Sequence, residues 1–272
     1  MIDLVVKIGS MALIQKGDNA IDYNVFQRLA SDLRPGMILV TSGATEIGRL
    51  DYMRRTGKEL SEMTEQDKMD YAAQGQAILM NVYRQFISPE YGVRQVLLEH
   101  NHFNDEQRRS HILGLFMRAA QQGAIPIVNY NDAVSDDEVR KMELASWREQ
   151  VGEVVECVDN DETAEVVAKL VGAKQLILLT STEGIYLDKN DPSTLVKVVT
   201  GDNVEDVRKK VEQLMEHCSG ASRKGANGAG AKLAYAMRAV ESGSTVIIGH
   251  ARHHINDLLT GKVPCTRLGV GL

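Results

Sequence analysis

Short apolar runs rich in β-branched residues recur along the chain: LVVKI near residue 4, MILVTS near 37, RQVLLE near 94, AIPIVN near 124, QLILLT near 175 and STVIIG near 244. Each has the length of a strand buried on both faces. Between them, apolar positions recur at helical spacing over 23–33, 71–86, 108–122, 163–171 and 231–242. Strand alternating with helix predicts an α/β fold: a mostly parallel central sheet between two helical layers, a three-layer αβα sandwich. No repeat, low-complexity tract or Pro-rich linker marks an independent second domain. The expectation is therefore a single domain over 1–272, two-lobed, with a seam near 155–160.

Composition narrows the class of partner. A chain of 272 residues with 43% hydrophobic content can bury a substantial core, and its formal net charge of -6 argues against a nucleic-acid surface. No run approaches the roughly 18 apolar residues that span a bilayer, so no membrane partner is expected. Cys157, Cys218 and Cys265 are far apart and form no CxxC, which fits a reducing, cytoplasmic setting better than a disulfide framework or a zinc site. His253-His254 with Asp257 lack a third partner at metal spacing, as do His100 and His102, and no metal site is expected.

Ligands of parallel sheets bind beyond the carboxyl ends of the strands. Four strand ends carry Gly or small polar residues: Gly9-Ser10, Ser42-Gly43-Ala44, Asn129-Tyr130-Asn131-Asp132, and Thr180-Ser181-Thr182-Glu183-Gly184. Lys7 just before Gly9 and Ser10 could place an ammonium beside a phosphate held by backbone N–H groups, or could open an ordinary turn. GANGAGAKL, residues 225–233, runs into a helical pattern and suits either a phosphate loop or a surface loop; Ala231 before Lys232 rules out a Walker A motif. Asp159-Asn160-Asp161 precedes a helix expected from Thr163; one of the three serves as a cap, leaving the others to face a cleft or to form a turn. Asp136-Asp137-Glu138 reads as a solvated helix start and Trp147 as a packing or interface residue.

In order and spacing these segments resemble the glutamate 5-kinase branch of the amino-acid kinase family, kinase domain only. The pieces are LVVKIGS, ILVTSGATEIGR, AAQGQAILMNVYRQF with YGVRQVLL, AIPIVNYNDAV, VDNDETA, LILLTSTEGIY, and GANGAGAKL before STVIIG. The resemblance implies ATP as donor with Mg²⁺ on its phosphates, glutamate as acceptor, and a homo-oligomer. It also implies roles. Lys7 and Lys232 flank the transferred group and Asp161 orients them. Ser42, Gly43, Asp132 and Asn160 hold the acceptor, the first three from an acceptor-binding lobe of about 1–157. Gly9, Ser10, Thr180, Ser181, Gly184, Tyr186, Gly228 and Gly230 contact the nucleotide, mostly from a lobe of about 158–272. The chain departs from that pattern at Tyr130, usually Glu; at Ser181, usually Asp; at Val158, usually Gly; in the GANGAG loop; and in extra residues around 141–155. These departures leave two other readings open: a kinase for a different small acceptor, and a non-catalytic nucleotide or metabolite sensor.

Overall fold

The computed structural model describes residues 2–15, 17–60, 64–157, 159–188, 190–218 and 228–272. In chain order it contains β1 (Leu4–Ile8), β2 (Ile14–Gln15), β3 (Ala20–Ile21), α1 (Tyr23–Asp32), β4 (Met37–Thr41), α2 (Ala44–Thr56), α3 (Glu65–Phe86), β5 (Gly92–Leu98), α4 (Asn101–Asn104), α5 (Glu106–Gln121) and β6 (Ala124–Tyr130). There follow α6 (Asp137–Val151), α7 (Asn160–Val171), β7 (Gln175–Thr180), β8 (Val198–Gly201), α8 (Val204–Cys218), α9 (Ala229–Glu241), β9 (Thr245–His250), α10 (Ile255–Thr260) and β10 (Cys265–Val270). One eight-stranded sheet runs β5-β6-β4-β1-β7-β9-β10-β8, parallel at every pairing except β9–β10. None of the described helices is long and apolar enough to cross a membrane.

The six apolar runs are the six strands from β5 to β9 in spatial order; the five inner ones are buried along most of their length, as a central parallel strand covered on both faces must be, while the edge strand β5 is part-exposed. Strand alternation sorts their side chains between two cores. Val5 joins the layer with α5, α7, α8 and α9, whereas Leu4, Val6 and Ile8 join the layer with α1, α2, α3 and α10. Lys7 shares the parity of Val5, so it leaves the strand on the α7 and α9 side.

The structure corrects several sequence expectations. The edge strand β8, its neighbour β10 and the β2–β3 hairpin were missed, since VVTG and CTRLGV carry small and polar residues that dilute the apolar signal. Helix α3 begins at Glu65, well before residue 71. Thr64 closes a capping box with Asp67 that outweighs the charged EQDKMD stretch (Asp67 N to Thr64 Oγ1, 3.1 Å; Thr64 N to Asp67 Oδ2, 2.9 Å). Helix α2 has little apolar periodicity. It packs through backbone instead: a Cβ on Gly48 would overlap Tyr71 O, and one on Gly75 would overlap Ala44 O and Gly48 N, so α2 and α3 cross with their main chains in contact.

Helix α7 carries a testable burden. Glu165 is only 4% exposed, and burial pushes its carboxyl up to about 7, with Arg238 and Lys169 pulling the other way. Between its ordinary 4.5 and about 7 the folded chain holds a proton that the unfolded chain releases, so stability falls as pH rises through that window. Glu165→Gln is expected to raise the melting temperature at pH 8, by a free energy of at most about 3 kcal/mol, and to change nothing at pH 4. Thermal melts at the two pH values check it.

Candidate functional site

From β1 the chain moves to β4 on one side; after β6 it crosses back to β7 on the other. The carboxyl ends of β1 and β7 therefore border the crevice that such a switch in direction opens. Helices α7 and α9 each lead into a parallel strand, so both start at this same edge and direct their N-termini at it.

Three charges meet there. Lys7 Nζ lies 2.7 Å from Asp161 Oδ1, and Lys232 Nζ lies 2.6 Å from Asp161 Oδ2. Their side chains are 9%, 5% and 23% exposed for Lys7, Asp161 and Lys232. Burial alone would raise the Asp161 carboxyl; the two ammonium groups outweigh it and hold the group below its ordinary value. The helix expected from Thr163 starts at Asn160 because Asp159 caps it, accepting from Asp161 N at 2.8 Å and Glu162 N at 2.9 Å. Asn160 and Asp161 thus sit in the first turn of α7 and face the crevice. One carboxylate between two cations leaves an excess positive charge beside two helix N-termini, which is a place for phosphate.

The turns around it are tight. Gly43 adopts φ 103° at the start of α2, and a Cβ there would stand 3.8 Å from Ser10 Cα, so this glycine seats the β4 turn against the β1 turn. A Cβ on Gly9 would stand 3.6 Å from Lys7 Nζ. One expectation needs correction: Gly9 N–H is directed at Leu179 O, at 3.4 Å, because the β1–β7 ladder extends past Ile8. The N–H groups of Ser10 and Met11, at the start of the 3-10 turn Ser10–Ala12, are those left for a phosphate.

On the β4–β6 side a polar network forms. Asn160 Nδ2 donates to Ser42 Oγ at 3.0 Å and to Asn129 Oδ1 at 3.1 Å, and Asn129 Nδ2 donates to Gln76 Oε1 at 2.9 Å. Asn131 Nδ2 donates to Glu99 Oε1 at 2.7 Å. Gln76, Tyr130, Asn131 and Asp132 line one small cavity with Ala44 and Ala133. Burial pushes Asp132 up to about 6, with Arg140 of α6 lowering it. The structure thus brings Ser42, Asp132 and Asn160 to one cleft beside Lys7. Sequence reasoning gave no role to Gln76, although AAQGQAILM contains it, and nothing in the charged 136–150 stretch singled out Arg140.

The nucleotide-side candidates are more dispersed. Thr180 Oγ1 spends itself on Thr182 O at 2.9 Å, and Ser181 is exposed. Gly184 is required by packing, since a Cβ would overlap Thr266 of β10, and Tyr186 bridges to Leu195. Gly228 caps α9 and Gly230 lies in open space in its first turn. Residues 225–227 of the Gly-rich loop, and Val158, lie outside the described residues.

The histidines have other partners: His253 Nε2 meets Glu183 Oε2 at 2.6 Å, His254 Nδ1 meets Asp32 Oδ1 at 2.9 Å, and His100 Nε2 meets Glu143 Oε2 at 2.9 Å. Among the described residues no group of three His, Cys, Asp or Glu is disposed to hold a metal, and both oxygens of Asp161 are already taken by lysine.

Residues 4–250 match the family described as "Amino acid kinase family". The glutamate 5-kinase of Clostridium perfringens is 29% identical over 270 residues, 95% of this chain and 92% of that protein. The glutamate 5-kinase of Gloeobacter violaceus is 31% identical over 281 residues, 99% of this chain and 69% of that one. Among solved structures, carbamate kinase from Giardia lamblia bound to AMP-PNP aligns with TM-score 0.61 at 13% identity over 98% of both chains. UMP kinase from Ureaplasma parvum aligns with TM-score 0.56 at 11% identity, over 99% of this chain and 100% of that one. Those two likenesses speak for the fold.

Proposed function

Because the chain belongs to the amino acid kinase family, and is thus a phosphotransferase, we propose that it moves the γ-phosphoryl group of ATP to the side-chain carboxylate of L-glutamate. The product would be glutamyl 5-phosphate, an activated acid on the way to proline. The observation that carries the reading is the Lys7–Asp161–Lys232 bridge, with the Ser42–Asn160–Asn129 network next to it.

A carboxylate is already a nucleophile, so no base is needed. One carboxylate oxygen bonds to the γ-phosphorus, the bond from that phosphorus to the β–γ bridging oxygen breaks, and ADP leaves with the electron pair. The obstacle is repulsion between two anions. Lys7 and Lys232, clamped by Asp161 and aided by the N–H groups of Ser10 and Met11, offset the charge and hold the groups in line. Residues of about 1–157 supply the acceptor side, and those of about 158–272, through Thr180, Ser181, Gly184, Tyr186, Gly228 and Gly230, the nucleotide side. Any Mg²⁺ would accompany the nucleotide phosphates, since such sites draw on few protein groups, and among the described residues no cluster of metal-binding side chains forms a cage for it.

A coupled assay tests this: glutamate-dependent ADP release is expected, and release equally fast without any acceptor overturns it. A second reading, the same transfer to another small acceptor, is favoured by Tyr130 and by α6 beside the cleft; an acceptor that outperforms glutamate at fixed ATP would select it. Asp132 adds a pH signature. As a carboxylate it accepts from the acceptor's ammonium, and it is ionised only above about 6. KM for glutamate is expected to rise about tenfold per pH unit below that point, and Asp132→Asn to show a high, flat KM across pH 5–8.

A further inference from the structure

Arg140 is placed where the chemistry proposed above has no use for it. It stands in α6, reaches back to the loop after β6, lies within hydrogen-bonding reach of the Tyr130 hydroxyl, and acts electrostatically on Asp132. Its side chain is 20% exposed, and among the described residues the one carboxylate within ion-pair distance is Asp137, at a loose 3.9 Å. Its Nε is fully buried with no hydrogen-bond partner. A buried N–H of a charged group left unmade is costly and calls for an explanation. Tyr130 supplies a phenol, not a carboxylate, so among the described residues the charge is met only by the loose Asp137 contact and by Asp132 across the loop.

The neighbouring network shows the same incompleteness, with a definite polarity. Tyr130 N–H, which cannot flip, donates to Asn129 Oδ1 at 2.9 Å. That fixes Asn129 Nδ2 as donor to Gln76 Oε1, leaving Gln76 Nε2 buried and unpaired. It also fixes Asn160 Nδ2 as donor to Asn129 and Ser42, leaving Asn160 Oδ1 buried and unpaired. Around the cleft there are therefore unpaired donors on Gln76, in its lining, and on Arg140 Nε, beside Asp132, and acceptors on Asn160 and Asp132. Their complement is a molecule with both an anionic group and an ammonium.

We infer that Arg140 is a specificity-determining residue that clamps the α-carboxylate of the acceptor, seconded by Gln76, while Asp132 and Asn160 take its α-ammonium. This rests on the glutamate reading and extends it: the site selects an amino dicarboxylate with its α-carboxylate free. A guanidinium fork matches a carboxylate through two parallel hydrogen bonds, which an ammonium cannot copy.

The test compares L-glutamate with its 1-amide, at saturating ATP, for the wild type, Arg140→Met and Arg140→Lys. The wild type is expected to favour glutamate about 100-fold in kcat/KM. R140M is expected to raise KM for glutamate by about 10- to 100-fold, with kcat and KM for ATP within about threefold, and to bring the two acceptors close to parity. A role limited to holding α6 would weaken both acceptors alike. R140K keeps the charge and the helix, and is expected to fall between; it carries the test if R140M does not fold. Turnover of glutamate with discrimination untouched in both variants overturns the clamp alone. No turnover of either acceptor by the wild type overturns the glutamate reading and the clamp with it.

Discussion

Alanine at Lys232 is expected to lower kcat by about 10²- to 10³-fold while leaving the fold intact. Lys232 sits in the first turn of α9, is part-exposed, and touches Asp161 at its tip. When it is removed, Asp161 keeps the Lys7 ammonium at 2.7 Å, so no buried charge is stranded. What is lost is half of the cationic pair that offsets repulsion between the acceptor carboxylate and the phosphoryl group. Asp161 is a poorer place to cut, because its loss would leave Lys7 buried without a counter-charge and add a folding defect of about 3–5 kcal/mol. ADP release with glutamate, alongside a thermal melt, checks the prediction; a kcat within tenfold of the wild type at an unchanged melting temperature would sink the proposed role.

The largest effect on stability is expected from Gly75→Ala. A methyl group there has no room, since it would overlap Ala44 O and Gly48 N of the facing helix. Neither partner is a flexible side-chain end, so α2 and α3 must move apart, at a cost of about 3 kcal/mol or more. For a chain of this size that lowers the melting temperature by roughly 10 °C. Function is expected to suffer too, because α2 starts at the Ser42–Gly43 turn and Gln76 follows Gly75 directly. Calorimetry reads the first effect, KM for glutamate the second. A melting temperature within about 2 °C of the wild type would show that the helices part more easily than their backbone contact implies.

Several features were legible in the residues alone. The continuous apolar runs announced the central strands, because a strand covered on both faces has no polar positions to spare. Lys7 was visible as a cation at a strand end and Asp159-Asn160-Asp161 as a helix start. The helices α2 and α6 were less legible. One packs by bare backbone at Gly48 and Gly75, and the other buries little beyond Leu144, so neither writes an apolar stripe of helical period.

What the chain determined by itself was therefore the α/β alternation and which residue types stand at the strand ends, since both follow from short-range patterns of burial and turn chemistry. What only the tertiary structure decided was the company those residues keep. Lys7 is separated from both Asp161 and Lys232 by more than half the chain, and the three meet because β1 and β7 are neighbours and two helices start at the same edge. Arg140 acts on Tyr130 and Asp132 because the fold sets α6 against the loop after β6. Contacts of that kind depend on strand order and side-chain direction, which distance along the sequence does not encode.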